Sequence, residues 1–207
     1  LSKLPMGTGR EMYPEYVPFV KDLATTYNGT ILGELRISKY LIEHFSGQTV
    51  WSFRPGHLSN PNALPQALAA TSYRYSSSTT ANYDRSVQAE IGVFEFPVTI
   101  EDEELPKMGD RLPQALAVAR QISQYGGLCV VLIHPNILDH KLAFEKGFVE
   151  GVRSFAWFGS VGQFGDWWAA RDQVGIEVVR MVGHFRVELT IPRALSGLTL
   201  EVPVGWQ

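Results

Sequence analysis

The segment Leu128-Cys129-Val130-Val131-Leu132-Ile133 narrows the possible folds of this chain most. An unbroken apolar run of strand length, rich in β-branched residues, has no polar face to offer solvent. It therefore predicts a strand covered on both sides, as in a parallel sheet flanked by helices. The neighbouring periodicities agree. Leu35, Leu41, Ile42 and Phe45 fit one face of a helix over residues 34–45, ended by Gly47, and residues 50–53 read as a short strand. Pro61 and Asn62 open a helix carrying Leu64, Ala67 and Leu68, and strands are predicted over residues 73–76 and 93–98. Asp110 is the expected N-cap of a helix through Leu112, Leu116, Ala119 and Ile122, and further helices are expected over 139–152 and 160–171. Strand and helix in alternation predict an α/β fold with parallel strands.

The C-terminal residues follow another pattern. Runs at 176–182, 185–191 and 198–204 are strand-like, with turns at Gly183-His184 and Ser196-Gly197 and no helix between them. They predict a three-stranded antiparallel appendage. The expected organisation is an α/β body over residues 1–175 and a β appendage over 176–207, with residues 1–30 an ordered loop holding one short helix.

Composition excludes several classes of function. Of 207 residues, 45% are hydrophobic and 19% charged, which describes a chain able to bury a core. No stretch reaches the roughly 18 apolar residues of a membrane span. A net charge of -3, evenly spread, argues against nucleic acid or an anionic membrane as partner. The single cysteine, Cys129, forms no internal disulfide, and its apolar surroundings predict a core residue.

Chemistry is expected where strands end, because in parallel α/β folds the loops after the C-terminal strand ends carry the site. Trp51-Ser52-Phe53-Arg54-Pro55-Gly56-His57 delivers an arginine and a histidine into such a loop. An arginine there can orient a carboxylate. Leu132-Ile133-His134-Pro135 places a histidine just past the most apolar strand, where it can transfer protons near neutral pH. Tyr75-Ser76-Ser77-Ser78-Thr79-Thr80 reads as a solvated hydroxyl loop or a sugar-binding one. Glu95 can hold the loop arginine or line a pocket, whereas residues 101–104 read as a solvated acidic run. Trp157, Phe158, Phe164, Trp167 and Trp168 fit a core cluster better than a sugar platform. His44, His140 and His184 have no companion at metal-ligand spacing and read as surface or packing residues. The absence of a Gly-x-Ser-x-Gly elbow weighs against a serine esterase.

In their order, Phe53-Arg54-Pro55-Gly56, the stretch Ser72-Tyr73-Arg74-Tyr75-Ser76-Ser77-Ser78, Leu132-Ile133-His134 and Trp167-Trp168-Ala169-Ala170-Arg171 resemble motifs of the polysaccharide deacetylase (NodB-homology) family. The resemblance spans about residues 30–175. It implies an incomplete, distorted (β/α) barrel, bearing the antiparallel appendage, that hydrolyses N- or O-acetyl groups of a polysaccharide or oligosaccharide with a divalent metal, zinc. On that basis His134 is the expected general acid and Arg54 the residue that orients a catalytic aspartate. Trp51, Pro55 and His57 are expected to contact substrate. The family's aspartate pair and His-x-x-x-His metal motif have no counterpart here, so the metal ligands and base are expected upstream of Leu1, in a missing N-terminal segment. An extracellular or cell-envelope bacterial setting is implied. The alternative expectation is a catalytically inactive barrel serving as a glycan-binding or structural module.

Overall fold

A computed structural model describes residues 31–81, 92–135, 138–203 and 205. The loop and short helix expected over residues 1–30 lie outside the described residues. The chain divides into two compact units, Leu1–Phe158 and Gly159–Gln207. The division falls between Phe158 and Gly159, ahead of the last helix, whereas the sequence places a boundary at residue 175.

The first unit is a mixed α/β structure. Its elements run α1 (Ile31–Ser46), β1 (Ser52–Phe53), α2 (Leu64–Ala70), β2 (Tyr75–Ser76), β3 (Phe94–Glu95), β4 (Ile100–Glu101), α3 (Leu112–Gln124), β5 (Val131–Leu132) and α4 (Leu138–Val152). All pairings are parallel: β1 with β2, β2 with β3, and β4 with β5. The two groups are joined through one bent stretch of chain. The Phe96 N–H donates to the Ser76 carbonyl, Val98 bridges Thr80, and the Ile100 N–H donates to the Val130 carbonyl. Pro97, which has no N–H to donate, lies between the two pairings, and the chain bends at Thr99. Of the expected strand over 93–98 only β3 forms, paired with β2, and β4 lies beyond it, paired with β5 where the sequence predicts no strand. No closed barrel forms among the described residues.

Helices cover the sheet through two cores. Ile31 and Leu35 of α1 pack with Leu64, Ala67 and Leu68 of α2 and with Tyr73 and Val93. Ala115 and Ala119 of α3 pack with Phe144, Phe148 and Val152 of α4 over Ile100 and Met108. Helices α2 and α3 open on the same hexapeptide, Leu-Pro-Gln-Ala-Leu-Ala, each with its proline in the first turn, where the missing N–H costs nothing. In both copies the first alanine, Ala67 or Ala115, is buried. Asp110 does not cap α3. The buried Met108 draws residues Met108–Arg111 into a 3-10 turn, so the N-cap position passes to Arg111. Gly47 ends α1 as expected, with φ +67 and its N–H on the Glu43 carbonyl.

The second unit holds α5 (Val161–Arg171), β6 (Gly175–Met181) and β7 (His184–Thr190). A capping box starts α5: the Gln163 N–H donates to Ser160 Oγ, and the Ser160 N–H to Gln163 Oε1. Strands β6 and β7 form an antiparallel hairpin turned at Gly183, φ +78. The third strand expected over 198–204 is not formed among the described residues. The segment after β7 is tied to α5 instead, because the Trp167 indole N–H donates to the Ser196 carbonyl and Arg193 donates to the Asp166 carbonyl. Of the aromatics expected in a core, Trp167 and Trp168 are half-buried and Trp157 and Phe158 are exposed. No helix among the described residues is long and apolar enough to cross a membrane.

Candidate functional site

The exits of the parallel strands carry two polar clusters. The first begins at Arg54, directly after β1. Its Nε donates to the Ser77 carbonyl at 3.2 Å and its Nη2 to Ser77 Oγ at 2.7 Å. Burial pushes the guanidinium down from the usual arginine range, and the charge of Glu95 pushes it back up. An arginine so placed stays charged. Glu95, at the end of β3, accepts from the Ser78 N–H at 2.6 Å, the Thr79 N–H at 3.0 Å and Thr79 Oγ1 at 3.1 Å. Ser76, Ser77 and Ser78 are buried, and the Ser76 and Ser78 hydroxyls bond each other at 2.6 Å. The expected solvated or sugar-facing hydroxyl loop is therefore a buried network that fixes Arg54 and Glu95. Its polar atoms find partners inside the protein because burial without them is costly.

The second cluster centres on His134, two residues past β5. Its Nδ1 lies 2.8 Å from Asp102 Oδ1, and its main-chain N–H donates to Asp102 Oδ2 at 3.0 Å. Asp102 follows β4, the strand that pairs with β5. Its side chain has no exposed surface, while the imidazole is 36% exposed. Lys141, in the first turn of α4, donates to Asp102 Oδ2 and to the His134 carbonyl. Burial by itself would push the Asp102 carboxyl up, but hydrogen bonds from Lys141 and His134 outweigh it and hold the carboxyl at about 2. An ionised Asp102 accepts only, so Nδ1 carries the proton it shares, and Nε2 is left to exchange protons with a ligand. Exposed Glu103 adds negative charge 3.9 Å from Nδ1. A carboxylate-oriented imidazole of this kind is a proton donor and acceptor held in one tautomer.

The acidic run was misread at one position. Charge density alone made Asp102 look like its exposed neighbours Glu103 and Glu104, whereas it is the most enclosed carboxylate of the site. Its place directly after a strand, Ile100–Glu101, was a signal only once that strand was recognised, and the strand carries no apolar run like the one before His134. Lys141 carried no signal beyond its place near a helix start.

The other expected site residues are dispersed. Trp51 precedes β1, at the strand end opposite Arg54, and its ring is flanked by Arg74 at 4.0 Å and Lys39 at 5.2 Å. Pro55 is extended, with φ -74 and ψ 154, and leads into a 3-10 turn, Gly56–Leu58, that contains His57. His44 is exposed on α1 and stacks on Tyr40, and His184 is exposed on β7. Cys129 is half-buried against the second core, where burial raises its thiol. Among the described residues no group of three or more His, Cys, Asp or Glu side chains could hold a metal. These residues by themselves therefore do not fit a resident zinc site.

Asp102 makes a pH prediction. Its folded-state value, about 2, lies below its ordinary 3.8. A depressed carboxylate adds stability that is complete above its unfolded value and is lost as pH falls through the folded one. About 2 kcal/mol should disappear between roughly pH 4 and pH 2. Urea midpoints across that range should fall less steeply in Asp102→Asn than in the wild type.

Comparison with protein-family models, with curated proteins and with solved structures finds no match to this chain.

Proposed function

We propose that this chain supplies the general acid and a carboxylate-orienting arginine of a deacetylase acting on acetylated polysaccharide, on a distorted (β/α) barrel. The observation that carries the reading is the Asp102–His134 pair at the exits of paired parallel strands, with Nε2 left for a ligand. His134 donates its proton to the leaving nitrogen or oxygen as the bond to the acetyl carbon breaks, so an amine or alcohol departs instead of an anion. Arg54, braced by Ser77, presents its remaining N–H groups to a carboxylate and favours the ionised form of that group. Metal ligands and a catalytic base belong, on this reading, to sequence outside the described residues. When bound, a divalent ion would supply Lewis-acid activation of water and of the acetyl carbonyl.

The test is acetate release from N- and O-acetylated oligosaccharides by the full protein, with and without a chelator. Chelator-sensitive release is expected. Arg54→Ala should lose activity and, because it leaves the buried Ser77 groups short of a donor, lose some stability without unfolding. Arg54→Lys should be intermediate or nearly as damaged, since a point charge lacks the planar two-pronged contact. Glycan binding without acetate release would favour the inactive-barrel reading.

A further inference from the structure

We infer that Lys141 is a positioning residue for the Asp102–His134 pair, clamping His134 from the helix side so that its ring keeps one orientation while a proton leaves. The inference rests on the acid–base reading given above.

A lysine that is 8% exposed in the first turn of a helix is doubly disfavoured. Burial penalises its charge, and the positive end of the helix dipole repels it. Its contacts with Asp102 and His134 converge on the acid–base pair. The carboxylate of Asp102 is divided between Oδ1, which takes the imidazole Nδ1, and Oδ2, which takes both the Lys141 ammonium and the His134 main-chain N–H. Lys141 also reaches the His134 carbonyl at 3.3 Å. His134 is thereby held at its ring, its N–H and its carbonyl. A purely structural ion pair would need only the contact between Lys141 and Asp102.

The clamp also sets charge. The groups facing the imidazole are Asp102 and Glu103 from the segment after β4 and Lys141 from α4. Lys141 neutralises Asp102, so the imidazolium faces one exposed carboxylate instead of two uncompensated ones. Removing the ammonium would over-stabilise the protonated ring and make it a poorer acid.

Two variants of the full protein separate these effects. Lys141→Met removes charge and contacts together, whereas Lys141→Gln keeps hydrogen-bond donors without the charge. The first readout needs no activity: nitrogen-15 histidine spectra, assigned with His134→Gln, report whether the His134 ring N–H is protected from exchange. Protection is expected in the wild type, retained in Lys141→Gln and lost in Lys141→Met. The second is the pH profile of acetate release. Its alkaline limb should move upward in both variants, because the imidazolium loses a nearby positive charge. Turnover should fall about tenfold or more in Lys141→Met, with KM nearly unchanged. Wild-type protection in a folded Lys141→Met protein would overturn the inference. Were that variant unable to fold, an unmoved limb and full turnover in Lys141→Gln would do so. Absence of acetate release from the wild type would overturn the proposed function instead, while the spectra would still decide for or against Lys141.

Discussion

His134→Ala, made in the full protein, is expected to lose about a hundredfold to ten-thousandfold in turnover on acetylated oligosaccharides. Substrate binding should change far less, because protonation of the leaving group matters in the transition state and not in the ground state. The fold should survive, since the imidazole is partly exposed and makes its bonds at the mouth of the strands. Steady-state kinetics with a thermal melt of the same sample test both halves of the expectation. Full turnover in a folded His134→Ala protein with normal metal content would remove the acid assignment and leave the glycan-binding module ahead.

Phe144→Ala should cost about 3–5 kcal/mol of stability, the range for truncating a large core aromatic. Phe144 is 1% exposed and stacks on Phe148 with ring centroids 5.5 Å apart, between α3 and the β4–β5 pair. No rearrangement of a neighbouring methyl group fills the space of a phenyl ring. Against a total of about 5–15 kcal/mol for an ordinary domain, such a loss is severe. Urea unfolding followed through the first unit measures it, and a change below about 1 kcal/mol would mean that the core collapses around the cavity.

Much of the backbone was legible in the residues. The helical spacing of Leu35, of Leu64, Ala67 and Leu68, and of Leu112, Leu116 and Ala119, and the apolar run before His134, each mark an element that the structure contains. Short strands were legible as places but not as lengths, and β4 was not legible at all, because Ile100–Glu101 has no apolar pattern and its pairing with β5 is a tertiary contact. The third C-terminal strand failed for a tertiary reason: Ser196 and Arg193 bond to α5, and a strand pattern cannot report a competing partner. At the site, His134 and Arg54 were legible because each follows a strand directly. Asp102 and Lys141 were not, because their chemistry depends on contacts 32 and 7 residues away along the chain. Local charge pointed to solvent for the one, and helix position said nothing about the other. The buried serines show the same limit, since hydroxyl-rich composition describes a solvated loop as readily as a satisfied interior network.

The crossover from β4 through α3 to β5 has a consequence for the order in which the molecule comes together. Asp102 and His134 are separated by 32 residues, and the contact between them closes a loop whose entropy cost is met only when Ala115 and Ala119 dock against Phe144 and Phe148. An unfolded or half-collapsed chain with α3 already helical still has its aspartate and histidine far apart. Non-local contacts of this kind form late and slowly compared with helices. The Asp102–His134 pair is therefore assembled by the same event that completes the second core, and a folding experiment that follows the His134 ring should register core formation and acquisition of the pair as a single kinetic phase.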